Sequence, residues 1–182
     1  MKKLVTIIVI IAVGFGIYYF VHSRANQNTP PVKIATNTTN PDPSNATFQF
    51  EDGPITLKKG TITTNITPSG ELTEETDLTN SIAYGDLNGD GKTDAAFLLV
   101  QTTSGTGVFF NVAAYVSGLV AYSGTNAIFL GDRVTPKSIS IANGVITVTY
   151  LDRTANEAMT DDPTLLVTKQ FIYTQGTLAE KN

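Results

Sequence analysis

Alternating apolar and polar residues recur along the chain from Thr47 onwards, and this period of two predicts β-strands. The clearest example is residues 138–151, where Asn143-Gly144 separates two alternating runs. Asn-Gly favours the type I′ turn of a two-residue β-hairpin, because both central residues of that turn have positive φ. The predicted pairs are Ile141 with Ile146 and Ile139 with Val148 on an apolar face, and Ser140 with Thr147 on a polar face.

Two further runs, residues 95–100 and 108–116, are apolar at nearly every position and are joined by a Ser-Gly-Thr-Gly segment at 104–107. A strand that is apolar on both sides is typical of the middle of a sheet that is covered on both faces. A helix is the alternative, but both runs are short, lie close to glycines and lack polar residues at helical spacing. We therefore expect two central strands that are buried on both faces.

Shorter stretches of the same region predict additional strands. The segment 71–77 carries four acidic residues, and we interpret it as an acidic loop or at most one turn of helix. The predicted fold class is all-β, or α+β if a minor helix is present, with an antiparallel sandwich or a partly open barrel as its architecture. The additional strands are predicted at residues 47–50, 55–58, 61–66, 76–84, 126–130 and 165–173.

An unbroken apolar run from Leu4 to Val21 follows two lysines and predicts a transmembrane helix. We interpret residues 1–24 as an uncleaved signal anchor, with the lysines cytoplasmic and the rest of the chain exported. The predicted location is the cell membrane, with one span and an extracytoplasmic domain on the periplasmic side or the cell surface. The alternative is a cleaved signal peptide and a secreted domain, but Ser23-Arg24-Ala25 is a poor cleavage site.

Residues 25–46 are dominated by Asn, Thr and Pro, which predicts a linker without regular structure. Such a linker would hold a domain of residues 47–182 away from the membrane surface. The linker and the anchor together imply that the membrane is one partner of the protein.

Composition excludes several classes of function. The chain has no cysteine, which excludes disulfides, thiolate metal sites and a lipid-modified cysteine. Its one histidine, His22, lies beside the apolar N-terminal run, so the predicted domain has no imidazole for catalysis or zinc binding. From Thr47 onwards fifteen acidic residues stand against eight basic ones, a net charge of −7 without a basic cluster. Nucleic acid is therefore not expected as a partner.

The segment 86–94 carries oxygen-bearing side chains at the spacing that a calcium loop requires. Calcium takes six to eight oxygen ligands, and such a loop supplies them from positions one, three, five and nine and from the carbonyl at seven. Gly91 occupies position six, where the chain must turn into backbone angles that favour glycine. The predicted ligands are the side chains of Asp86, Asn88, Asp90 and Asp94, the last directly or through water, and the carbonyl oxygen of Lys92.

These residues, with Gly85 before them and Ala95 after them, resemble the calcium loops of EF-hand-like, dockerin and FG-GAP repeats. The resemblance implies Ca²⁺ as the cofactor. A longer region from Tyr84 to Tyr115, with Gly131-Asp132-Arg133, resembles uncharacterised bacterial exported proteins and lipoproteins, a group that implies no activity. Position twelve holds Phe97 instead of the bidentate Glu of a full EF-hand, so we expect a loop that runs directly into a strand. The single copy disfavours an architecture built from repeats.

Two other interpretations of the acidic residues stay open. Asn88-Gly89 and Asp90-Gly91 are also turn dipeptides, although turn chemistry alone requires neither Asp86 nor Asp94. A carboxylate-rich cleft for glycan hydrolysis is the second alternative, but surface ion pairs and a solvated acidic loop are commoner. Its candidates are Asp132-Arg133, Asp152-Arg153, Glu157, Asp161 and Asp162.

The expected function is that of a non-enzymatic, membrane-anchored, extracytoplasmic calcium-binding β module with a structural or interaction role at the cell envelope. Its further partner would be an envelope protein or a glycan, and no catalytic residue is assigned. The alternatives are a glycan-directed hydrolase that uses Asp and Glu carboxylates, and a periplasmic inhibitor or chaperone-like subunit.

Overall fold

Within residues 40–181, which a computed structural model of the protein describes, the chain forms twelve β-strands and no helix. The predicted all-β class is confirmed, and the minor helix of the α+β alternative does not occur in this part of the chain. The strands are β1 (Thr47–Phe50), β2 (Gly53–Thr56), β3 (Thr61–Asn65), β4 (Thr73–Gly85), β5 (Asp94–Thr103), β6 (Val108–Ser117), β7 (Tyr122–Gly124), β8 (Ile128–Asp132), β9 (Thr135–Ala142), β10 (Val145–Asp152), β11 (Leu165–Thr174) and β12 (Thr177–Glu180).

The described strands form two sheets and a separate hairpin. The larger sheet has the order β3-β4-β5-β6-β7, and β8 also pairs with β6. The smaller sheet has the order β12-β11-β10-β9, and β1 pairs only with β2. All of these pairs are antiparallel.

Strand β5 contributes to two hydrophobic cores at once, because successive side chains of a strand point to opposite faces. Leu98 packs in the same core as Ile146 of the four-stranded sheet. Phe97 points to the other face, where Phe48 of the β1–β2 hairpin meets its ring edge-on with centroids 5.3 Å apart. The predicted burial of the central strands on both faces is therefore confirmed, and the hairpin forms a third layer.

The β1–β2 hairpin is attached to the larger sheet through Gln49. The Gln49 backbone N–H donates to the Thr125 carbonyl at 3.1 Å, and the Ala127 N–H donates to the Gln49 carbonyl at 2.9 Å. The hairpin layer begins before the first strand, since Pro41, Pro43 and Ala46 are already buried. The end of the segment that was predicted to be a linker is therefore packed against the domain.

The β9–β10 hairpin has the register that its turn sequence predicted. Ile141 pairs with Ile146, Ser140 with Thr147 and Ile139 with Val148. Asn143 and Gly144 have φ values of 52° and 73°, as a type I′ turn requires. The side chains of Ile146, Val148 and Tyr150 are fully buried, so the apolar face of this hairpin is the one that meets the larger sheet.

The acidic segment was predicted wrongly, because β4 begins at Thr73 and continues to Gly85. Glu74, Glu75 and Asp77 pair with β3 on one side and β5 on the other. Cross-strand pairing on both sides outweighs the low β-propensity of acidic residues. The short strands β7 and β12 were also not predicted, since three or four residues carry too little periodicity.

The predicted membrane anchor, residues 1–24, and most of the predicted linker lie outside the described residues. Between residues 40 and 181 the structure contains no helix with the length and apolar character needed to span a bilayer.

Candidate functional site

The predicted metal loop connects β4 to β5, the innermost strand of the larger sheet. It turns twice through left-handed backbone, with φ of 78° at Gly89 and 79° at Gly91. A Cβ atom built on either glycine would have no neighbour within 4 Å, so the reason for glycine here is conformational and not steric. The predicted sharp turn at Gly91 is confirmed.

Asp94 anchors the end of this loop. Its side chain is fully buried, and its two oxygens accept backbone hydrogen bonds from Leu87 and Ser117, both at 2.8 Å. A carboxylate that receives backbone N–H groups on both oxygens is well compensated for its loss of water. Asp94 therefore fixes the beginning of the loop to its end and to the end of β6.

Asp86 and Asn88 order the exposed part of the loop through short-range hydrogen bonds. The Asp86 carboxylate accepts the N–H of Gly89 at 2.7 Å on one oxygen and the N–H of Gly91 at 2.9 Å on the other. The Asn88 side-chain oxygen accepts the N–H of Asp90 at 3.0 Å. Each of these oxygens keeps unused acceptor capacity, because an ionised carboxylate offers about four lone-pair sites.

Asp90 is the most heavily contacted acidic group of the exposed loop. One of its oxygens accepts the Lys92 N–H at 2.9 Å, and the other accepts the Ser117 hydroxyl at 2.8 Å. The Lys92 ammonium lies 3.5 Å from that second oxygen. The backbone hydrogen bond from Lys92, assisted by the Ser117 hydroxyl and the ammonium charge, lowers the pKa of Asp90 below its ordinary value. Asp90 is therefore ionised at neutral pH.

The turn after β6 is a second part of this site that the sequence did not indicate. The Ser117 carbonyl accepts the Asn88 side-chain N–H at 2.8 Å, and the Gly118 carbonyl accepts the Lys92 ammonium at 2.9 Å. Tyr122 donates its hydroxyl to the Thr93 carbonyl at 2.9 Å. A Ser-Gly pair after an apolar strand predicts only a turn, and nothing in its spacing relates it to a loop 23 to 31 residues earlier.

All five predicted ligands thus lie in one loop, but their side chains are held by hydrogen bonds to the protein. Among residues 40–181, no three Asp, Glu, His or Cys side chains are grouped so that they could hold a metal ion. The donor set is suited in kind to a hard cation, since it is made of carboxylate and amide oxygens. Binding an ion would require the acidic side chains of the loop to move closer to a common centre.

The loop is closely packed against the β9–β10 turn. A Cβ atom on Gly85 would lie 2.6 Å from Cγ2 of Ile141, so only glycine allows this approach. Beside this contact lies an open cavity of about 430 Å³, lined by both sheets: Gly85, Asp86, Gly89, Ile141, Asn143 and Gly144. Asp86 is the one charged side chain among these lining residues.

The alternative carboxylate cluster holds loops together. The Asp132 carboxylate accepts the Val108 N–H at 3.1 Å and pairs with the Arg133 guanidinium at 3.1 Å. Arg153 donates to the carbonyl oxygens of Arg133 and Asp161. Glu157 accepts hydrogen bonds from Thr154 and Thr164, and the hydroxyl of Thr164 is the main cause of its lowered pKa. These contacts match the ion-pair interpretation of this region.

A larger cleft lies elsewhere, where the β1–β2 turn ends above the larger sheet. Its volume is about 720 Å³, and it is lined by both acidic and aromatic side chains, among them Asp52, Glu74, Phe109 and Phe129. Burial raises the pKa of Glu74; a hydrogen bond from Gln101 opposes this shift, and the Asp52 charge adds to it. The sequence did not predict this cleft.

No protein-family model, curated protein or solved structure matches the chain.

Proposed function

We propose that the protein is a non-enzymatic, membrane-anchored β module that acts outside the membrane at the cell envelope, with loop 86–94 binding Ca²⁺ as a structural ion. The domain would be an antiparallel sandwich with the β1–β2 hairpin as an added layer. The apolar run at 4–21 and the Asn/Thr/Pro-rich linker support the anchor. Partly exposed carboxylates on a loop that is fixed at a buried strand end support the calcium site.

The calcium proposal rests on one observation: the three carboxylates of the loop differ in burial and in the contacts that they make. Asp94 is buried and anchors the loop, whereas Asp86 and Asp90 stay near solvent with lone pairs to spare. Calcium would be held by the side-chain oxygens of Asp86, Asn88 and Asp90, by the Lys92 carbonyl, and by Asp94 directly or through water. Turn formation also uses these side chains, since Asp86 accepts two backbone N–H groups of the loop, but it leaves part of their acceptor capacity free for an ion.

The affinity would be low. Lys92 already supplies a positive charge beside Asp90, so an incoming ion must displace or tolerate that ammonium. Position twelve also lacks the bidentate Glu. We expect a dissociation constant on the order of 10⁻⁴ to 10⁻³ M, as in extracellular calcium modules. A site of this affinity would serve as a stabilising element and not as a sensor of cytosolic signals.

Thermal unfolding with and without calcium tests this proposal. At about 10 mM Ca²⁺ the free energy of unfolding should rise by about 1.4 to 2.7 kcal/mol for the affinity range given above, relative to the protein in EDTA. Asp90→Asn should abolish the rise in melting temperature that calcium causes. Lys92→Gln should enlarge that rise, because the competing ammonium is removed.

The matched control is Asp162→Asn, which removes the same charge from an exposed loop outside the site. This variant should keep the full calcium response. Identical melting curves in calcium and EDTA, together with no heat of binding in calorimetry, would remove the metal from the proposal. A calcium response that survives Asp90→Asn would place the ion elsewhere.

A second candidate function, glycan hydrolysis, is favoured by one observation. Asp52 and Glu74 line the same cleft from the hairpin and from the sheet, away from the metal loop, and burial raises the pKa of Glu74. Glycoside hydrolases usually cleave the glycosidic bond with two carboxyl groups whose environments give them different pKa values. Incubation with oligosaccharides of N-acetylglucosamine, followed by measurement of new reducing ends, tests this activity. Release that disappears in Glu74→Gln and Asp52→Asn would support it, and no release would reject it for this substrate.

A further inference from the structure

The β1–β2 hairpin covers only part of one face of the larger sheet, and the remainder forms the floor of the 720 Å³ cleft. Phe97 and Leu99 lie on this face under the hairpin, whereas Gln101 and Asn111 lie on the same face beyond it. A volume of this size is typical of small-ligand sites. The cleft is therefore built into the layer structure and does not depend on the metal loop.

The floor of the cleft is a fixed chain of polar side chains. Asn111 donates to the Gln101 side-chain oxygen at 3.1 Å, and Gln101 in turn donates to the Glu74 carboxylate at 2.7 Å. This chain of hydrogen bonds orients both amides. Its two ends are therefore acceptors, the Asn111 side-chain oxygen and the Glu74 carboxylate. Asn111 is only 4% exposed as a residue; its side-chain oxygen accepts no hydrogen bond from the described residues, but it is not sealed from solvent. Because Asn111 lines the cleft, this oxygen is open to a donor that enters there.

The walls of the cleft are aromatic and acidic. Phe129 is 56% exposed and meets Phe109 in an edge-to-face pair with centroids 6.2 Å apart. Glu51 and Asp52 stand at the hairpin turn and line the cleft together with Glu74. None of the described residues that line the cleft is basic. The cleft thus offers acceptors, negative charge and ring faces, whereas its amide donors are partly used within the floor.

We infer that this cleft binds an organic cation, an ammonium or guanidinium group on an aliphatic stem. The charged head would pair with Glu74 and the carboxylates of the hairpin turn, and a second N–H would reach the Asn111 oxygen. The stem would lie along Phe109 and Phe129, where the ring faces attract the cation as well. A neutral sugar fits less well, because its hydroxyls need donors and acceptors in similar numbers. Burial raises the pKa of Glu74, which means that the ionised carboxylate has lost favourable contact with water. A bound cation would compensate for that loss.

Calorimetric or NMR titration of the full-length protein tests the inference. The cationic probes are N-acetyl-lysine methylamide, N-acetyl-arginine methylamide and cadaverine, and the neutral probes are N-acetyl-norleucine methylamide and the N-acetylglucosamine disaccharide. At least one cationic probe should bind about tenfold more tightly than its neutral counterpart. If the lysine or arginine methylamide binds more tightly than cadaverine, the natural ligand is a basic side chain of a peptide. If cadaverine binds more tightly, the natural ligand is a free amine.

Four variants locate the site. Glu74→Gln should weaken cation binding about tenfold, and Phe129→Ala should weaken it about threefold. Phe129 is exposed, so its replacement leaves the folded core intact. The matched controls are Asp162→Asn for charge and Leu166→Ala, on the exposed face of β11, for apolar area; both should bind as the wild type does.

The inference would be overturned if none of the three cationic probes bound more tightly than the norleucine probe, and also if Glu74→Gln left cation binding unchanged. Tighter binding of the disaccharide than of any cation would also overturn it and would favour the hydrolase candidate instead. The calcium proposal is not affected by any of these results, because the two sites share no residue.

Discussion

At the scale of the residue, Tyr150 shows how one polar atom is accommodated in the core. Its side chain is 1% exposed, and its hydroxyl donates to the Leu130 carbonyl at 3.2 Å. Burial, with smaller contributions from the charges of Asp152 and Glu180, raises the pKa of this hydroxyl above its ordinary value. The fold therefore favours the neutral phenol over the phenolate.

Tyr150→Phe should therefore change stability in a pH-dependent way. At pH 7 the variant should lose about 1 kcal/mol of unfolding free energy, because the Leu130 carbonyl loses its donor. A raised folded-state pKa means that the wild type keeps its full stability below pH 10 and loses stability as the pH rises towards that folded-state value. The difference between the two proteins should shrink at pH 11. Denaturant titrations at both pH values measure it, and a constant difference would contradict the assignment.

The sequence predicted the loop residues well but not their contacts. The alternation of Asp86, Asn88 and Asp90 and the glycine at position six follow from spacing alone, and the loop has the predicted turn. Which atoms meet these oxygens depends on the turn after β6, whose Ser117 approaches the loop only when the strands pair. Asp86 and Asp94 also stabilise the turn itself, because they accept backbone N–H groups of the loop. Every residue type except proline has such an N–H group, so the sequence does not reveal these contacts.

At the scale of the element, the packing of β4 against β9 depends on a single missing side chain. A Cβ on Gly85 would lie 2.6 Å from Cγ2 and 2.9 Å from Cβ of Ile141. Such distances require the backbone or the isoleucine to move. The contact joins the beginning of the metal loop to the hairpin of the other sheet.

Gly85→Ala should destabilise the domain by about 1 to 3 kcal/mol, the usual cost of an extra methyl group in a packed site. Ile141→Ala on the same background should recover part of this loss, because it removes the nearest atom. Chemical denaturation of the two single variants and the double variant measures the coupling. Additive effects would show that the two residues are not in steric conflict. Gly176→Ala is a useful comparison, since a Cβ there meets no atom within 4 Å and only the positive φ opposes it.

Prediction of the elements succeeded where a local rule was decisive. The Asn143-Gly144 turn set the register of β9 and β10, because only one pairing is compatible with that turn and with an apolar face. The same reasoning failed for β4, whose acidic residues are stabilised by strands on both sides and not by their own propensity. The cleft was equally inaccessible, since Glu74, Gln101 and Asn111 are 10 to 37 residues apart and meet only through sheet order.

At the scale of the whole molecule, the β1–β2 hairpin should belong to the same cooperative unit as the two sheets. Phe48→Ala removes a fully buried ring from the core beneath the hairpin and should cost about 3 to 5 kcal/mol. Phe129→Ala makes the same chemical change at an exposed position and should cost little. Far-UV circular dichroism during denaturation measures both. Two separate transitions in Phe48→Ala would show that the hairpin unfolds independently.

The position of this hairpin has a mechanical consequence for a tethered protein. The chain passes from residue 40 directly into the hairpin layer before it reaches either sheet. Tension on the proposed tether would therefore load β1 first, at the backbone contacts of Gln49 with Thr125 and Ala127. Peeling of that layer would uncover Phe97 and remove the wall that carries Asp52. Loss of the β1–β2 hairpin under such tension would therefore also dismantle one side of the cleft and release any ligand bound there.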